Sequence, residues 1–243
     1  DCDVTIEPND LMRVREPDPD RVPLKHLRVR NLTAVYPSTE AGIHDIDFDV
    51  PAGSFTVVTG GVGSGKSTLL RALIGLEPST GSIEWNGETV SDAGAWFVPP
   101  NAAHVAQIPR LFSETLAENI ALGRDQSRLE AVLEQTTLTQ DLAEMPDGTA
   151  TTVGSRGLRL SGGQAQRVAT ARSLLTQPEL LIVDDLSSAL DVATESDLWS
   201  RLRDEGTSTV IAVSHRQFVI DQADQLITLE GGRIASITTR STR

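Results

Sequence analysis

The sequence predicts an α/β fold around a buried sheet with parallel central strands, and three stretches carry that prediction. The first is the apolar run Phe55-Thr56-Val57-Val58, which feeds a glycine-rich loop and then the helical stretch Leu69-Leu70-Arg71-Ala72-Leu73-Ile74. The order is strand, loop, helix. The second is Leu180-Leu181-Ile182-Val183, a continuous apolar run that ends in Asp184 and Asp185. A strand buried on both faces reads this way. The third is Thr209-Val210-Ile211-Ala212-Val213, which delivers Ser214 and His215 to its carboxyl end. Ligands collect at those ends in open α/β sheets.

The loop itself is Gly60-Gly61-Val62-Gly63-Ser64-Gly65-Lys66-Ser67-Thr68. It meets the P-loop spacing G-x-x-x-x-G-K-[ST] at every required position. Its glycines let successive backbone N–H groups turn inward as an anion nest. The helix that begins here points its positive end at the same anion. Lys66 then reaches the β- and γ-phosphates of a nucleotide, and the Ser67 hydroxyl ligates Mg²⁺. Asp184, at the end of a central strand, is expected to hold that Mg²⁺ through water. Asp185, one residue on, is expected to orient or deprotonate an attacking water.

Composition bounds the rest. A chain of 243 residues fits one large domain or two small ones and buries a full core. No apolar run approaches the roughly 18 residues that cross a bilayer. The Asp-rich start lacks the basic-then-apolar order of a signal peptide. The chain begins at Asp1 without Met, so the expectation is a processed protein or a piece of a longer polypeptide. A net charge of −13 argues against a broad nucleic-acid footprint, which needs a basic face. The single Cys2 forms no internal disulfide, and a reducing, cytosolic setting is the default.

Along the chain, residues 1–23 are acidic, carry four prolines and show no periodicity, so they read as a linker or arm. Leu27 to Tyr36 alternates as a strand, and Pro37-Ser38-Thr39 with Gly42 reads as a turn. Ile46-Asp47-Phe48-Asp49-Val50 alternates strictly, with the aspartates on the wet face. Tyr36 is either a packing residue at a strand end or a platform for a stacked adenine, and sequence chemistry favours packing. Residues 81–88 form a hairpin around Asn86-Gly87. Pro99-Pro100-Asn101 is a break, and Ala103-His104-Val105-Ala106-Gln107 a short strand. Residues 115–142 read as a helical region opened by a capping box, Thr115 with Glu118. Residues 192–203 read as a helix capped by Asp191, and a closing hairpin turns at Gly231-Gly232.

Leu160-Ser161-Gly162-Gly163-Gln164 is the second informative stretch. Ser161 is a good N-cap and Gln164 completes a capping box. Two glycines in a first helical turn cost about 1 kcal/mol each. They expose backbone N–H groups at a positive helix end, the equipment for a second phosphate contact.

The order P-loop, LSGGQ, apolar strand with Asp, SALD, then a strand ending in His resembles the ATP-binding cassette (ABC) ATPases. The resemblance covers residues 25–237, with residues 1–24 as the arm. It implies a RecA-like P-loop NTPase core, an antiparallel β subdomain and an inserted α-helical subdomain at about 108–175 that carries the signature. It implies that Tyr36 stacks on adenine and that Gln107 senses Mg²⁺ and the attacking water. Ser161, Gly162, Gly163 and Gln164 match the signature that contacts the γ-phosphate of ATP bound to the opposite subunit. Asp191 matches the D-loop aspartate, and His215 the switch histidine. The segment Gln107 to Ile120, QIPRLFSETLAENI, is similar to exporter-type members, in which membrane helices commonly share the polypeptide. The resemblance therefore implies ATP and Mg²⁺, a second cassette, a transmembrane permease domain and a place on the cytoplasmic face of the cell membrane.

Two departures stand out. The family carries Glu after the strand-end Asp, and this chain has Asp185, which points to a slow or degenerate site. Exporters carry TEVGERG where residues 151–157 read TTVGSRG, without both glutamates. Two other readings are the separate ATPase subunit of an importer and a soluble ABC ATPase of DNA repair or translation. The interval from Lys66 to Ser161 has no heptad run, and the chain has one cassette, both of which weigh against the soluble reading.

Overall fold

The computed structural model describes residues 23–37, 41–154, 157–186, 191–204 and 209–240. The expected arm up to residue 22 lies outside the described residues. So do Ser38 and Thr39 of the first turn, Ser155 and Arg156, and Ser187-Ser188-Ala189-Leu190.

Two sheets sandwich a helix. Strands β1 (His26–Val35) and β2 (Gly42–Pro51) alternate buried apolar with outward polar residues, as their period-2 sequences require. The outward faces meet across the pair, where Arg28 and Arg30 both reach the Asp49 carboxylate, at 3.1 and 2.9 Å. Strand β2 begins four residues earlier than its alternation suggests. Gly42, expected in a turn, pairs with Val35 instead, where a Cβ would stand 2.0 Å from the Ala34 carbonyl. Strand β3 (Phe55–Gly60) leads into helix α1 (Lys66–Leu73). Strands β4 (Thr80–Trp85) and β5 (Glu88–Thr89) form the expected hairpin. Its Asn86 and Gly87 have φ of 58° and 89°, the two positive values of a type I′ turn. The first sheet is antiparallel in the order β2-β1-β4-β5.

A short helix α2 (Ala93–Trp96), capped by Asp92, precedes β6 (Ala102–Val105). The region 115–142 is not one helix but three. They are α3 (Leu116–Ala121), α4 (Leu129–Gln135) and α5 (Thr139–Ala143). The breaks fall where the backbone turns left-handed, at Leu122 and Gly123 (φ 48° and 77°) and at Thr137 (φ 56°). Such residues end a helix rather than extend it. The capping box of Thr115 and Glu118 is present. Buried Asn119 ties this region down, bonding the Phe112 backbone through both N–H and carbonyl at 2.8 and 3.0 Å. These helices pack on α6 (Gly162–Leu175) around their own core, which includes Leu116, Ile120, Leu133, Leu138 and Val168.

Strand β7 (Leu180–Asp184), helix α7 (Val192–Asp204), strand β8 (Thr209–Val213), helix α8 (Gln217–Gln222) and strands β9 (Gln225–Glu230) and β10 (Arg233–Thr239) complete the chain. The second sheet runs β10-β9-β3-β8-β7-β6. Its strands from β9 to β6 are parallel and only β10 is antiparallel. Every residue of β7 and of β8 is buried, because both faces are covered. Ile182 and Val58 point into the core shared with α1 and the first sheet. Val183 and Val57 point the other way, to Trp199 and Phe55, whose rings lie 5.5 Å apart. The parallel strands therefore end together, at the loops after β3, β6, β7 and β8.

Candidate functional site

The loop between β3 and α1 needs glycine in at least two places. At Gly60 (φ 146°) a Cβ would lie 2.2 Å from the Leu229 carbonyl. At Gly65 (φ 98°) it would lie 2.8 Å from Ile43. Gly65 is also the N-cap of α1, with no side-chain hydrogen bond to the first-turn N–H groups. Those donors, with the helix dipole, suit an anion. Gly61, Val62 and Gly63 form the exposed rim of the loop, and Ser64 is buried beneath it. Lys66 is also buried, and its Nζ folds over the loop. It donates to the Gly60 and Gly61 carbonyls at 3.0 and 2.8 Å and approaches Ser64 Oγ at 3.5 Å. Burial lowers the Lys66 ammonium from its ordinary range, while Asp185 and Asp184 pull it back up.

Ser67 Oγ donates to Asp184 Oδ1 at 3.0 Å, and Asp184 is 4% exposed. A hydroxyl and a carboxylate oxygen in contact are hard donors of the kind Mg²⁺ takes when phosphates and water fill its other positions. The pair fits that ion. Asp185, the next residue, turns left-handed at φ 47° as the chain leaves β7.

Tyr36 comes off β1 beside α1. Its hydroxyl lies 3.4 Å from Thr68 Oγ1 and donates to Glu77 at 3.2 Å. Gln107 and His215 both stand exposed at the carboxyl ends of β6 and β8. Among the described residues no hydrogen bond joins the Gln107 side chain to Ser67 or Asp184. Its backbone carbonyl is held instead, by Gln166.

Ser161 and Gln164 form a complete capping box. The Ser161 hydroxyl accepts from the Gln164 N–H at 3.1 Å, and Gln164 Oε1 accepts from the Ser161 N–H at 2.8 Å. Ser161 and Gly162 are exposed, and Gly163 is buried. Asp191 caps α7 by accepting from Ala193 and Thr194 N–H at 3.1 and 3.0 Å. The Thr194 hydroxyl bond holds the Asp191 carboxyl below its ordinary value. The two caps face one cavity of about 680 Å³, lined by Ser161, Gly163, Gln164, Asp191 and Thr194 among others. Among the described residues no hydrogen bond links Ser161, Gly162, Gly163 or Gln164 to the P-loop.

Three polar side chains missed by the sequence reading hold these loops. Gln166, 1% exposed, donates Nε2 to the Gln107 carbonyl at 3.0 Å and to the Asp185 carbonyl at 3.3 Å. Glu195, fully buried in the first turn of α7, faces Arg216 Nε at 3.2 Å, beside His215. Asp141 of α5 meets Arg167 at 2.6 Å. Only Gln166 lies in a mostly buried stretch, residues 166–171 of α6, where an amide stands out.

Burial raises the Glu195 carboxyl above its ordinary value, against the pull of Arg216. The folded chain then keeps this proton to higher pH than the unfolded chain. It binds more protons in that interval, so this group's contribution to stability falls as pH rises. Glu195→Gln is expected to gain stability relative to the parent as pH rises above 4.5, the ordinary value. Urea unfolding at several pH values measures this, and parallel curves for the two proteins would refute it.

The sequence matches the ABC transporter family over residues 43–188. It is 36% identical over 219 residues to the ABC multidrug transporter mdr2 of Aspergillus fumigatus, covering 86% of this chain and 27% of that protein. It is 39% identical over 194 residues to the ATP-dependent lipid A-core flippase of Burkholderia orbicola, covering 78% of this chain and 32% of that protein. It is 36% identical over 198 residues to the ATM1-type heavy metal exporter of Novosphingobium aromaticivorans, covering 79% and 33%. The chain thus spans about a third of the length of these relatives. Among solved structures it superposes with a TM-score of 0.80 on a bacterial Atm1-family ABC exporter with ATP bound, at 31% identity, covering 93% of this chain and 40% of that one. No helix among the described residues is long and apolar enough to cross a membrane. The P-loop, the Asp-terminated central strand, the capped LSGGQ helix and these matches together make the chain a nucleotide-binding domain of the ABC transporter family, with the α/β P-loop fold of its exporters.

Proposed function

We propose that this chain binds Mg·ATP and closes head to tail with a second cassette, sandwiching two ATP molecules, and that hydrolysis reopens the pair. Closing and opening would drive a transmembrane permease domain, in the same full-length polypeptide, between inward- and outward-facing states on the cytoplasmic face of the cell membrane. The exporter names of the relatives favour export over import. The working domain is residues 25–243, with its helical part at about 108–175.

One observation carries the sandwich. The capped LSGGQ turn, built with two glycines that weaken a helix, exposes Ser161 and Gly162 and makes no hydrogen bond to the chain's own P-loop among the described residues. A phosphate-binding helix end that its own site does not use is available to another nucleotide.

In this reading the backbone N–H groups from Gly60 to Thr68 cradle the phosphates and Lys66 leaves its loop carbonyls for the β- and γ-oxygens. Tyr36 stacks on the adenine. Ser67 and Asp184 hold Mg²⁺, with Gln107 nearby, and the ion supplies charge neutralisation to the phosphate oxygens. Asp185 orients the attacking water and takes its proton. His215 contacts the γ-phosphate. Ser161, Gly162, Gly163 and Gln164, with Asp191, serve the partner's nucleotide. The side chain of Asp185 is one methylene shorter than the family's Glu, so this site turns over slowly and suits a heterodimer with a competent second half.

The test is Mg·ATP hydrolysis by the purified chain over a range of protein concentrations, beside a nucleotide-binding assay. A specific rate that climbs with concentration supports a self-formed sandwich. Tight binding without turnover supports a degenerate half that needs another partner. No nucleotide binding would overturn the reading.

A further inference from the structure

The Gln164 side chain is an amide with two different ends, and only one of its two orientations suits the capping box. Its Oε1 faces the Ser161 N–H at 2.8 Å and its Nε2 faces Asp141 Oδ1 at 2.8 Å. A carboxylate only accepts, so it selects the NH₂ end. With the amide reversed, oxygen would face carboxylate and NH₂ would face N–H, and both bonds would be lost. Asp141 is itself fixed. Its other oxygen accepts from Arg167 Nη2 at 2.6 Å, and the two side chains are only 15% and 9% exposed. A charge-assisted bond this short and this sheltered has one geometry. Asp141 belongs to α5, 23 residues before Gln164, and lines the same cavity as Ser161 and Gly163.

We propose that Asp141 is a positioning residue for the signature turn. By holding the Gln164 amide one way round, it keeps the Ser161 N–H capped, while the Ser161 hydroxyl accepts from the Gln164 backbone N–H and keeps its own proton to donate. The first-turn N–H groups of Gly162 and Gly163 are then presented in one fixed geometry to the phosphate of the opposing cassette's nucleotide. The proposal rests, for that last step, on the sandwich reading above.

The experiment compares Asp141→Asn with Arg167→Lys in the purified chain. Arg167 only donates, so Asn turns its one oxygen to Arg167 and its NH₂ to Gln164, and the NH₂ end of Gln164 is no longer selected. Lys keeps the positive charge opposite Asp141 and leaves the Asp141–Gln164 bond in place. The first readout is amide hydrogen exchange at Ser161 by NMR, well below the unfolding temperature. Exchange in Asp141→Asn is expected to be at least about tenfold faster, the loss of one bond to a charged group, and near the parent rate in Arg167→Lys. Unchanged exchange in Asp141→Asn, or equal acceleration in both variants, would overturn the proposal. The second readout separates it from the sandwich reading. Asp141→Asn should keep the parent's affinity for ATP at its own P-loop, because no residue there touches Asp141. Its ATP-dependent association should weaken about tenfold. A parent chain that binds ATP and associates with no cassette would sink the sandwich reading, and the Ser161 exchange would still decide the role of Asp141.

Discussion

Asp185→Glu is expected to raise the rate of ATP hydrolysis about 100-fold and to leave ATP binding unchanged. Asp185 leaves a fully buried strand beside Asp184, so its backbone is firmly placed and the length of its side chain decides where the carboxylate stands. One missing methylene withdraws it by about 1 Å, and a misplacement of that size can cost about 100-fold. A longer side chain restores the reach without adding a contact to the P-loop, which is why affinity should not follow rate. The substitution has a cost that the backbone makes visible. Residue 185 sits at φ 47°, and Asp tolerates that region better than Glu. Asp185→Glu should therefore unfold slightly more easily, by a fraction of the roughly 1–2 kcal/mol that the left-handed region imposes on an ordinary residue. Initial rates at saturating Mg·ATP and a melting curve measure both effects. A variant no faster than its parent, tested with a competent partner, would mean that Asp185 already reaches the water.

Lys66→Ala is expected to reduce turnover at least about 100-fold, the scale on which a single preorganised donor to developing charge acts. Lys66 also has a second task. Its Nζ bonds the Gly60 and Gly61 carbonyls and so spans the mouth of the loop. Removing it takes a donor from both, which is expected to cost about 1 kcal/mol of stability. Lys66→Arg keeps the charge but replaces a compact ammonium with a broad planar fork, and should rescue little of the rate. Single-turnover hydrolysis with a radiolabelled γ-phosphate separates this loss from slow product release. Parent-level single turnover in Lys66→Ala would contradict the role assigned to the lysine.

Local chemistry was the readable part of this sequence. The β3–loop–α1 unit, the Asn86-Gly87 turn and both capping boxes are built from residues close together in the chain, so their residue types suffice to identify them. Strands β7 and β8 were readable because burial on both faces leaves an unbroken apolar run. The helical region read over 115–142 is helical, but its division into three was hidden for a related reason. Its apolar residues serve one core on successive short helices, so the periodicity survives the breaks, although Gly123 marked one of them. Gln166, Glu195 and Asp141 escaped altogether. Their partners are distant, 59 residues away for the Gln107 carbonyl and 26 for Asp141 and Arg167, and no local rule links them. Gln107 shows the limit from the other side. A conspicuous side chain drew the attention, and the backbone carbonyl is the group that is held.

Helix α6 joins two addresses. Its first turn carries the groups proposed to meet a neighbouring cassette, and Gln166 binds the carbonyls of Gln107 and Asp185 at home. At about 1.5 Å per residue, roughly 4.5 Å of rigid helix separates Gly163 from Gln166. A displacement of one end is a displacement of the other. In the closed pair proposed above, whatever one nucleotide did to the turn above it would be passed through Gln166 to the backbone of Asp185, the residue proposed to position the water of the other. For nucleotide binding, the coupling would be reciprocal: each site would change the other's affinity by the same factor. If this site is the slow half of such a pair, it would still signal to its partner, because the rod that carries the signal needs no chemistry of its own.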